Sequence, residues 1–262
     1  MRTNKVYFII TKECNSTCSF CYMRYGNVNE SDINALKSIE STIDHLVVIG
    51  GEPLLYKGKV IEVLNMCRHV NEITITTNGK CLSTEFIESI KCYDNVYVQV
   101  SIYDYTTALN VSNFVNKCDN IFVHYVLSSN NIDVFRDTHH LFNDNKVWIS
   151  LDREINKDIS SEILDLIDCG SITKSMFRNH DKVGKDCKVF DNTNIIINGS
   201  NIIYDCLNRQ SKNTNIIINS ECLKCSNNLC DACICNDIVI NRPLTCSIFK
   251  NIFDKFKYMG EI

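Results

Sequence analysis

Six short runs rich in valine, isoleucine and aromatic residues recur along the first 151 residues, and their spacing restricts the fold more than any other feature. They are VYFIIT (6–11), HLVVIG (45–50), EITITT (72–77), VYVQVS (96–101), IFVHYVL (121–127) and KVWISL (146–151). Each is nearly continuous in apolar character, the pattern of strands buried on both faces. Between them lie segments of helical periodicity, SDINALKSIESTIDHL, KGKVIEVLNMCRHV and STEFIESIKC, and SSEILDLIDC follows the last. Ser31 and Ser83 read as helix N-caps, each with an acidic residue in the following turn. This alternation predicts an α/β fold with a parallel sheet and right-handed crossovers. Six units are too few to close an eight-stranded barrel. A partial, open (β/α)6 TIM-like barrel over residues 1–180 is therefore expected, with its site at the C-terminal ends of the strands.

A second domain is expected over residues 181–262, where the texture changes. NTNIIINGSNIIYDC predicts a β-hairpin around Asn198-Gly199, a dipeptide suited to a tight primed turn. NIIIN (215–219) reads as another strand, Cys222 to Cys235 as a cysteine-dense loop, and SIFKNIFDKFKYM as a helical tail.

Sixteen residues are cysteine, and they are unevenly placed: three at Cys14, Cys18 and Cys21, eight between Cys187 and Cys246. The start of the chain is too short and too β-like for a signal peptide, and no apolar run reaches the ~20 residues of a membrane span. The cytoplasm is thus the expected compartment, where thiols stay reduced and clustered cysteines bind metal. Most of the isolated Cys67, Cys81, Cys92, Cys118 and Cys169 read as small buried hydrophobes. The formal charge of −4 comes with scattered Lys and Arg rather than a basic face, so neither nucleic acid nor membrane is an expected partner.

Cys14-Asn-Ser-Thr-Cys18-Ser-Phe-Cys21 follows the first strand with CxxxCxxC spacing. Three thiolates from one loop can hold three irons of a [4Fe–4S] cube and leave the fourth iron open. A structural zinc site would need a fourth ligand, and Asp44 and His45 lie on the next strand.

The stretch CNSTCSFCYM, with Phe20 directly before the last cysteine, resembles the signature loop of the radical S-adenosylmethionine superfamily. The resemblance implies that the open iron binds the amino and carboxylate groups of S-adenosylmethionine, whose reductive cleavage yields a 5′-deoxyadenosyl radical. Gly50-Gly51-Glu52-Pro53, at the end of the second strand, is similar to the family's GGEP motif, which holds the methionine amino group. Glycines there would let backbone approach a ligand closely, although GGEP alone is a common turn. Thr76-Thr77-Asn78-Gly79 resembles a TNG segment near the cofactor; its plainer reading is a strand-to-helix turn. Ser101 ends the fourth strand, where the family often places a ribose or carboxylate contact, and Asn130 after the fifth is a similar candidate.

The C-terminal cysteines resemble the SPASM extension of radical enzymes that modify peptides, with departures in two spacings and one additional cysteine. Eight thiols suffice for two further [4Fe–4S] clusters. The resemblance assigns Cys222, Cys225, Cys230 and Cys246 to one cluster, and Cys187, Cys206 and one or both of Cys233 and Cys235 to the other. A pair of zinc knuckles at Cys222, Cys225, Cys230 and Cys233 is the rival reading.

Auxiliary clusters favour oxidation or cross-linking of a peptide or protein side chain, such as that of a ribosomally made precursor peptide. A small-molecule substrate and a non-catalytic metal-binding module are the alternatives. Sulfatase maturation is disfavoured, because Leu207 stands where those enzymes place an aspartate. No catalytic side chain is singled out. Tyr103, Asp104 and Tyr105 read as a substrate mouth or a plain surface loop, and His139-His140 as an exposed helical pair. The first strand follows the N-terminus directly, so no peptide-recognition domain is expected ahead of it. The electron donor is expected to be a reductase partner of flavodoxin or ferredoxin type.

Overall fold

The computed structural model describes residues 4–18, 21, 23, 28–152, 155–177, 194–205, 220–225, 227 and 242–261. Its strands are β1 (Asn4–Ile9), β2 (Ile43–Ile49), β3 (Glu72–Thr77), β4 (Val96–Ser101), β5 (Ile121–Leu127), β6 (Val147–Leu151), β7 (Asn194–Asn198) and β8 (Asn201–Tyr204). Its helices are α1 (Ile33–Ile39), α2 (Lys57–Met66), α3 (Thr84–Ile90), α4 (Tyr105–Lys117), α5 (Ile132–Thr138), α6 (Ser160–Asp168), α7 (Ser220–Lys224) and α8 (Arg242–Tyr258). The architecture is the expected α/β one with a mostly parallel sheet, consistent with a partial TIM-like barrel. Among the described residues no helix is long and apolar enough to cross a membrane.

Contacts divide the chain into two units, one of residues 1–101 and 188–214, the other of 102–187 and 215–262. In the first unit the strands lie in the order β4-β3-β2-β1-β7-β8. All neighbours there pair in parallel except β7 and β8, which form the antiparallel hairpin expected around Asn198-Gly199. The hairpin's destination was not legible: β7 extends the sheet beside β1, pairing Lys5 to Phe8 with Asn194 to Ile197. Side chains alternate across a strand, so Tyr7 and Ile9, Val47 and Ile49, and Ile196 fall on one face, where they pack with Met23, Val28 and Cys21. Val6, Phe8, Leu46 and Val48 are buried on the other face.

In the second unit β5 and β6 pair in parallel, with Tyr125 opposite Ile149. Their burial alternates rather than being uniform: Val123, Tyr125 and Leu127 are buried, and the residues between them half-buried. Helix α8 starts five residues earlier than the expected tail. It buries Ile248, Phe249, Ile252 and Phe256, and Asn251 and Lys255 tie it to Ser160 and Asp168 of α6.

Local chemistry sets the helix starts. Ser83 is the expected N-cap of α3, its Oγ accepting the Phe86 N–H at 3.3 Å. Ser31 is not a cap. Asp32 fills that role by accepting the Asn34 N–H at 2.8 Å. The Ser31 hydroxyl is buried between strands, accepting the Ile9 N–H at 2.7 Å and donating to the Ile197 carbonyl. The expected helical run 31–46 also ends early, at Ile39, because a 3-10 turn over Glu40–Thr42 leads into β2. Asp104, expected in a substrate mouth or surface loop, caps α4 through the Thr107 N–H at 2.7 Å. His139 and His140 form a 3-10 turn after α5; His140 is exposed, while His139 is half-buried and stacked on Phe135.

Ser31→Ala leaves two buried backbone groups without a partner, so it is expected to cost about 1–3 kcal/mol. Ser83→Ala removes an ordinary cap worth about 1 kcal/mol. Equilibrium urea unfolding followed by circular dichroism should rank Ser31→Ala as at least as damaging.

Candidate functional site

The loop that leaves β1 is laid across the end of β2. The Ile10 N–H donates to the Ile49 carbonyl, the Gly51 N–H to the Thr11 carbonyl and the Glu52 N–H to the Glu13 carbonyl, all at 2.7–2.8 Å. A Cβ on Gly50 would lie 2.4 Å from the Thr11 carbonyl oxygen, and one on Gly51 would lie 2.1 Å from that of Glu13. Gly50 also has a φ of 153°, which side-chain-bearing residues rarely adopt. The glycine pair therefore admits the chain's own cysteine-bearing loop.

Glu52 continues the motif and is fully buried. Its Oε1 accepts from the Leu54 N–H at 3.0 Å and the Thr77 hydroxyl at 2.6 Å, and its Oε2 accepts the Asn78 N–H at 2.7 Å. Pro53, also buried, opens a 3-10 turn over Pro53–Tyr56 that Glu52 caps. The carboxylate thus bolts the end of β2 to the end of β3. Asn78 passes the connection on: its side-chain N–H reaches Asn15 Oδ1 at 2.7 Å, Ser16 Oγ at 3.3 Å and Cys14 Sγ at 3.8 Å.

The three thiols of this loop differ in setting. Cys14 is exposed, Cys18 and Cys21 are half-buried, and Cys21 packs against the apolar face of β1, β2 and β7. Burial pushes the Cys18 thiol above its ordinary pKa, and the charges of Cys21 and Cys14 push it further. Their mutual repulsion as thiolates is of the kind that a bound cationic iron centre would offset. Among the described residues no three His, Cys, Asp or Glu side chains gather tightly enough for one metal ion.

Several residues that brace this loop carried no signal in the sequence. Glu30 accepts from the Thr11 hydroxyl at 2.9 Å and the Lys12 N–H at 3.0 Å; the Lys12 bond is the main reason its carboxyl sits below the usual range. Lys59 donates to the Ile10 carbonyl at 2.6 Å, and Tyr56 to Glu13 Oε2 at 2.8 Å. Cys81 proves to be no core residue, for Asn15 donates to its sulfur at 3.3 Å beside the loop. On the exit side, the Asn29 N–H donates to Asn198 Oδ1 at 2.7 Å and the Asp32 N–H to the Gly199 carbonyl at 2.8 Å.

Cys14, Cys18, Cys21, Gly50, Gly51, Glu52, Pro53 and Asn78 are therefore gathered in the first unit. Ser101 ends β4 there, buried, one residue beyond the Thr77–Val100 pairing. Asn130 belongs to the second unit, where its N–H donates to Ser128 Oγ at 3.3 Å. Phe20, Cys187, Cys206, Cys230, Cys233 and Cys235, and the strand expected over 215–219, lie outside the described residues. Cys222 and Cys225 are one helical turn apart at α7, a helix where a loop was expected, and the Cys225 N–H donates to the Cys222 carbonyl at 3.2 Å. Cys246 lies in α8. Asn227 joins the two segments by donating to the Phe249 carbonyl at 3.0 Å, one turn beyond Cys246.

Residues 8–117 match the Radical SAM superfamily. A GTP 3′,8-cyclase from Peptoclostridium acidaminophilum is 33% identical over 113 residues, covering 38% of this chain and 34% of that protein. An S-adenosylmethionine-dependent nucleotide dehydratase from Fibrobacter sp. (strain UWH6) is 28% identical over 132 residues, 44% of this chain and 39% of that protein. The matched stretch thus spans little more than a third of either relative. Among solved structures, Streptococcus suis SuiB shares the fold with a TM-score of 0.54 at 14% identity, over 81% of this chain and 62% of SuiB. SuiB bound to its precursor peptide SuiA gives 0.52 at 14% identity, over 82% and 62%.

The glycine contacts give a direct test. Gly51→Ala is expected to displace the cysteine loop and sharply reduce iron bound at Cys14, Cys18 and Cys21, with little change in far-ultraviolet circular dichroism. Gly58→Ala, whose added Cβ meets nothing within 4 Å in α2, should leave iron content unchanged and stabilise the helix by up to about 1 kcal/mol. Residues 8–117, which carry the three-thiol loop and its glycine seat, are thus similar to the Radical SAM superfamily.

Proposed function

We propose that this radical S-adenosylmethionine enzyme oxidises or cross-links a side chain of a peptide or protein, such as a ribosomally made precursor peptide. With a [4Fe–4S] cluster and S-adenosylmethionine bound, the site would supply hydrogen-atom abstraction by a 5′-deoxyadenosyl radical. The chain's own part is to hold and orient. Cys14, Cys18 and Cys21 take three irons. The strand-end residues from Gly50 to Pro53, with Asn78, Ser101, Asn130 and Phe20, are the candidates for seating the cofactor at the C-terminal ends of the strands.

The observation that carries the peptide reading is the thiol supply between Cys187 and Cys246. Eight cysteines suffice for two auxiliary [4Fe–4S] clusters, which give a substrate-derived radical a place to deposit its electron. The bond from Asn227 to Phe249 supports one part of the ligand assignment, since it brings Cys222 and Cys225 toward the helix bearing Cys246. The Asn227 N–H also donates to Cys225 Sγ at 3.5 Å, the kind of contact that orients a ligating thiolate. SuiB, solved with a precursor peptide, adds a fold-level analogy. A reductase of flavodoxin or ferredoxin type would supply electrons, and the cytoplasm would keep the thiols reduced.

A second reading, a small-molecule substrate, is favoured by the printed activities of the two curated relatives, both of which concern nucleotides. The two readings separate in one experiment on the anaerobically reconstituted chain. About twelve irons per chain with negligible zinc are expected, together with 5′-deoxyadenosine that disappears in the Cys14/Cys18/Cys21→Ala variant. Deuterium transfer into 5′-deoxyadenosine from a labelled peptide encoded beside the gene supports the proposal. Transfer from a labelled nucleotide, or four irons with stoichiometric zinc, overturns the oxidative peptide reading.

A further inference from the structure

We propose that Asn78 is a positioning residue for the iron–sulfur cluster, directing its side-chain N–H at the Cys14 sulfur and thereby raising the cluster's reduction potential. This rests on the reading of Cys14, Cys18 and Cys21 as cluster ligands, but not on the identity of the substrate. It gives Asn78 a role toward the cluster beyond its candidacy as a contact of S-adenosylmethionine.

The amide has one orientation compatible with its surroundings. Oδ1 accepts the Lys80 N–H at 3.0 Å, so a flipped amide would set donor against donor. That bond turns Nδ2 toward the loop, where it lies 2.7 Å from Asn15 Oδ1, 3.3 Å from Ser16 Oγ and 3.8 Å from Cys14 Sγ. The last distance is long for an oxygen acceptor and within reach of the larger sulfur. Asn15 is oriented by the same logic, for its own Nδ2 donates to Cys81 Sγ at 3.3 Å. The backbone of Asn78 is pinned by Glu52 Oε2 at 2.7 Å, and the residue is only 8% exposed. The donor is therefore held in place from three sides.

A reduced cluster carries one more electron than its oxidised form. An amide N–H fixed beside a ligating sulfur stabilises the more negative state more strongly, and hydrogen bonds to the sulfurs are among the main controls of cluster potential. The same amide grips Asn15 and Ser16, so the donor and the loop it acts on move as one piece.

The test uses the full chain, reconstituted without oxygen, as wild type, Asn78→Asp and Asn78→Leu. Redox titration is followed by electron paramagnetic resonance, tracking the reduced signal that changes when S-adenosylmethionine is added. That response singles out the cluster with the open iron. Asn78→Asp keeps the size, the backbone bond to Glu52 and the acceptor for Lys80 while removing the donor. Both variants should show a roughly tenfold smaller ratio of reduced to oxidised cluster at a fixed potential, a midpoint lower by about 59 mV for a one-electron couple. Because Asp also adds a negative charge that lowers the midpoint by itself, the neutral variant decides, and an unshifted midpoint in Asn78→Leu overturns the proposal whatever Asn78→Asp does. Loss of iron from both variants with the fold retained also overturns it, leaving Asn78 an anchor of the loop. A wild type without any signal responsive to S-adenosylmethionine overturns the site reading itself, an outcome distinct from an unshifted midpoint.

Discussion

The carboxylate of Glu52 lies where no water reaches it, and its three hydrogen bonds go to the turn that follows β2, to the last residue of β3 and to the first residue beyond it. Each donor would cost about 1–3 kcal/mol if buried without its acceptor. More important than the sum is the geometry. A single side chain fixes the relative height of two strand ends, and Asn78, set at that height, fixes the cysteine loop. The loop is in turn seated on Gly50 and Gly51, the two residues directly before Glu52. Four neighbouring positions in the sequence, Gly50 to Pro53, thus serve mechanical ends, holding up a loop that presents three thiols.

Much of this was legible in the sequence because it is periodic or local. The apolar runs over 72–77, 96–101 and 121–127 are strands with those bounds, since branched and aromatic side chains in such runs fit a pleated, buried surface. Asn198-Gly199 marked a hairpin for the same local reason. Errors arose where a local pattern had a long-range competitor. Ser31 has the form of a cap, yet its hydroxyl bridges two strands that are remote in sequence, and Asp32 beside it was free to cap instead. The glycine pair announced a close approach, and one sequence could not say whether ligand or chain would make it. The same holds for β7: an apolar run of five residues names a strand but not its neighbour, and its place beside β1 depends on the sheet edge already present.

The second unit shows the complementary case. Its cysteines are conspicuous as a set, but their grouping depends on contacts such as that of Asn227 with the Phe249 carbonyl, which no spacing rule contains. Cys81 is the converse. Isolated in sequence, it read as an ordinary buried hydrophobe, and folding brings it within hydrogen-bonding distance of Asn15 in the thiol-bearing loop. Cysteine counting finds ligand supply, while tertiary packing decides which thiols share a neighbourhood.

The clamp between residues 29–32 and the hairpin turn at Asn198-Gly199 has a consequence for biogenesis. The Asn29 N–H waits for an acceptor 169 residues downstream, and the Ser31 hydroxyl for one 166 residues downstream. At common elongation rates the ribosome needs on the order of ten seconds to add that length of chain. During that interval the contacts available to the nascent thiol loop include the glycine seat, Asn78, Glu30, Tyr56 and Lys59, but not the hairpin turn. The loop bearing Cys14, Cys18 and Cys21 is thus secured on both sides only once the hairpin turn at Asn198-Gly199 has been made.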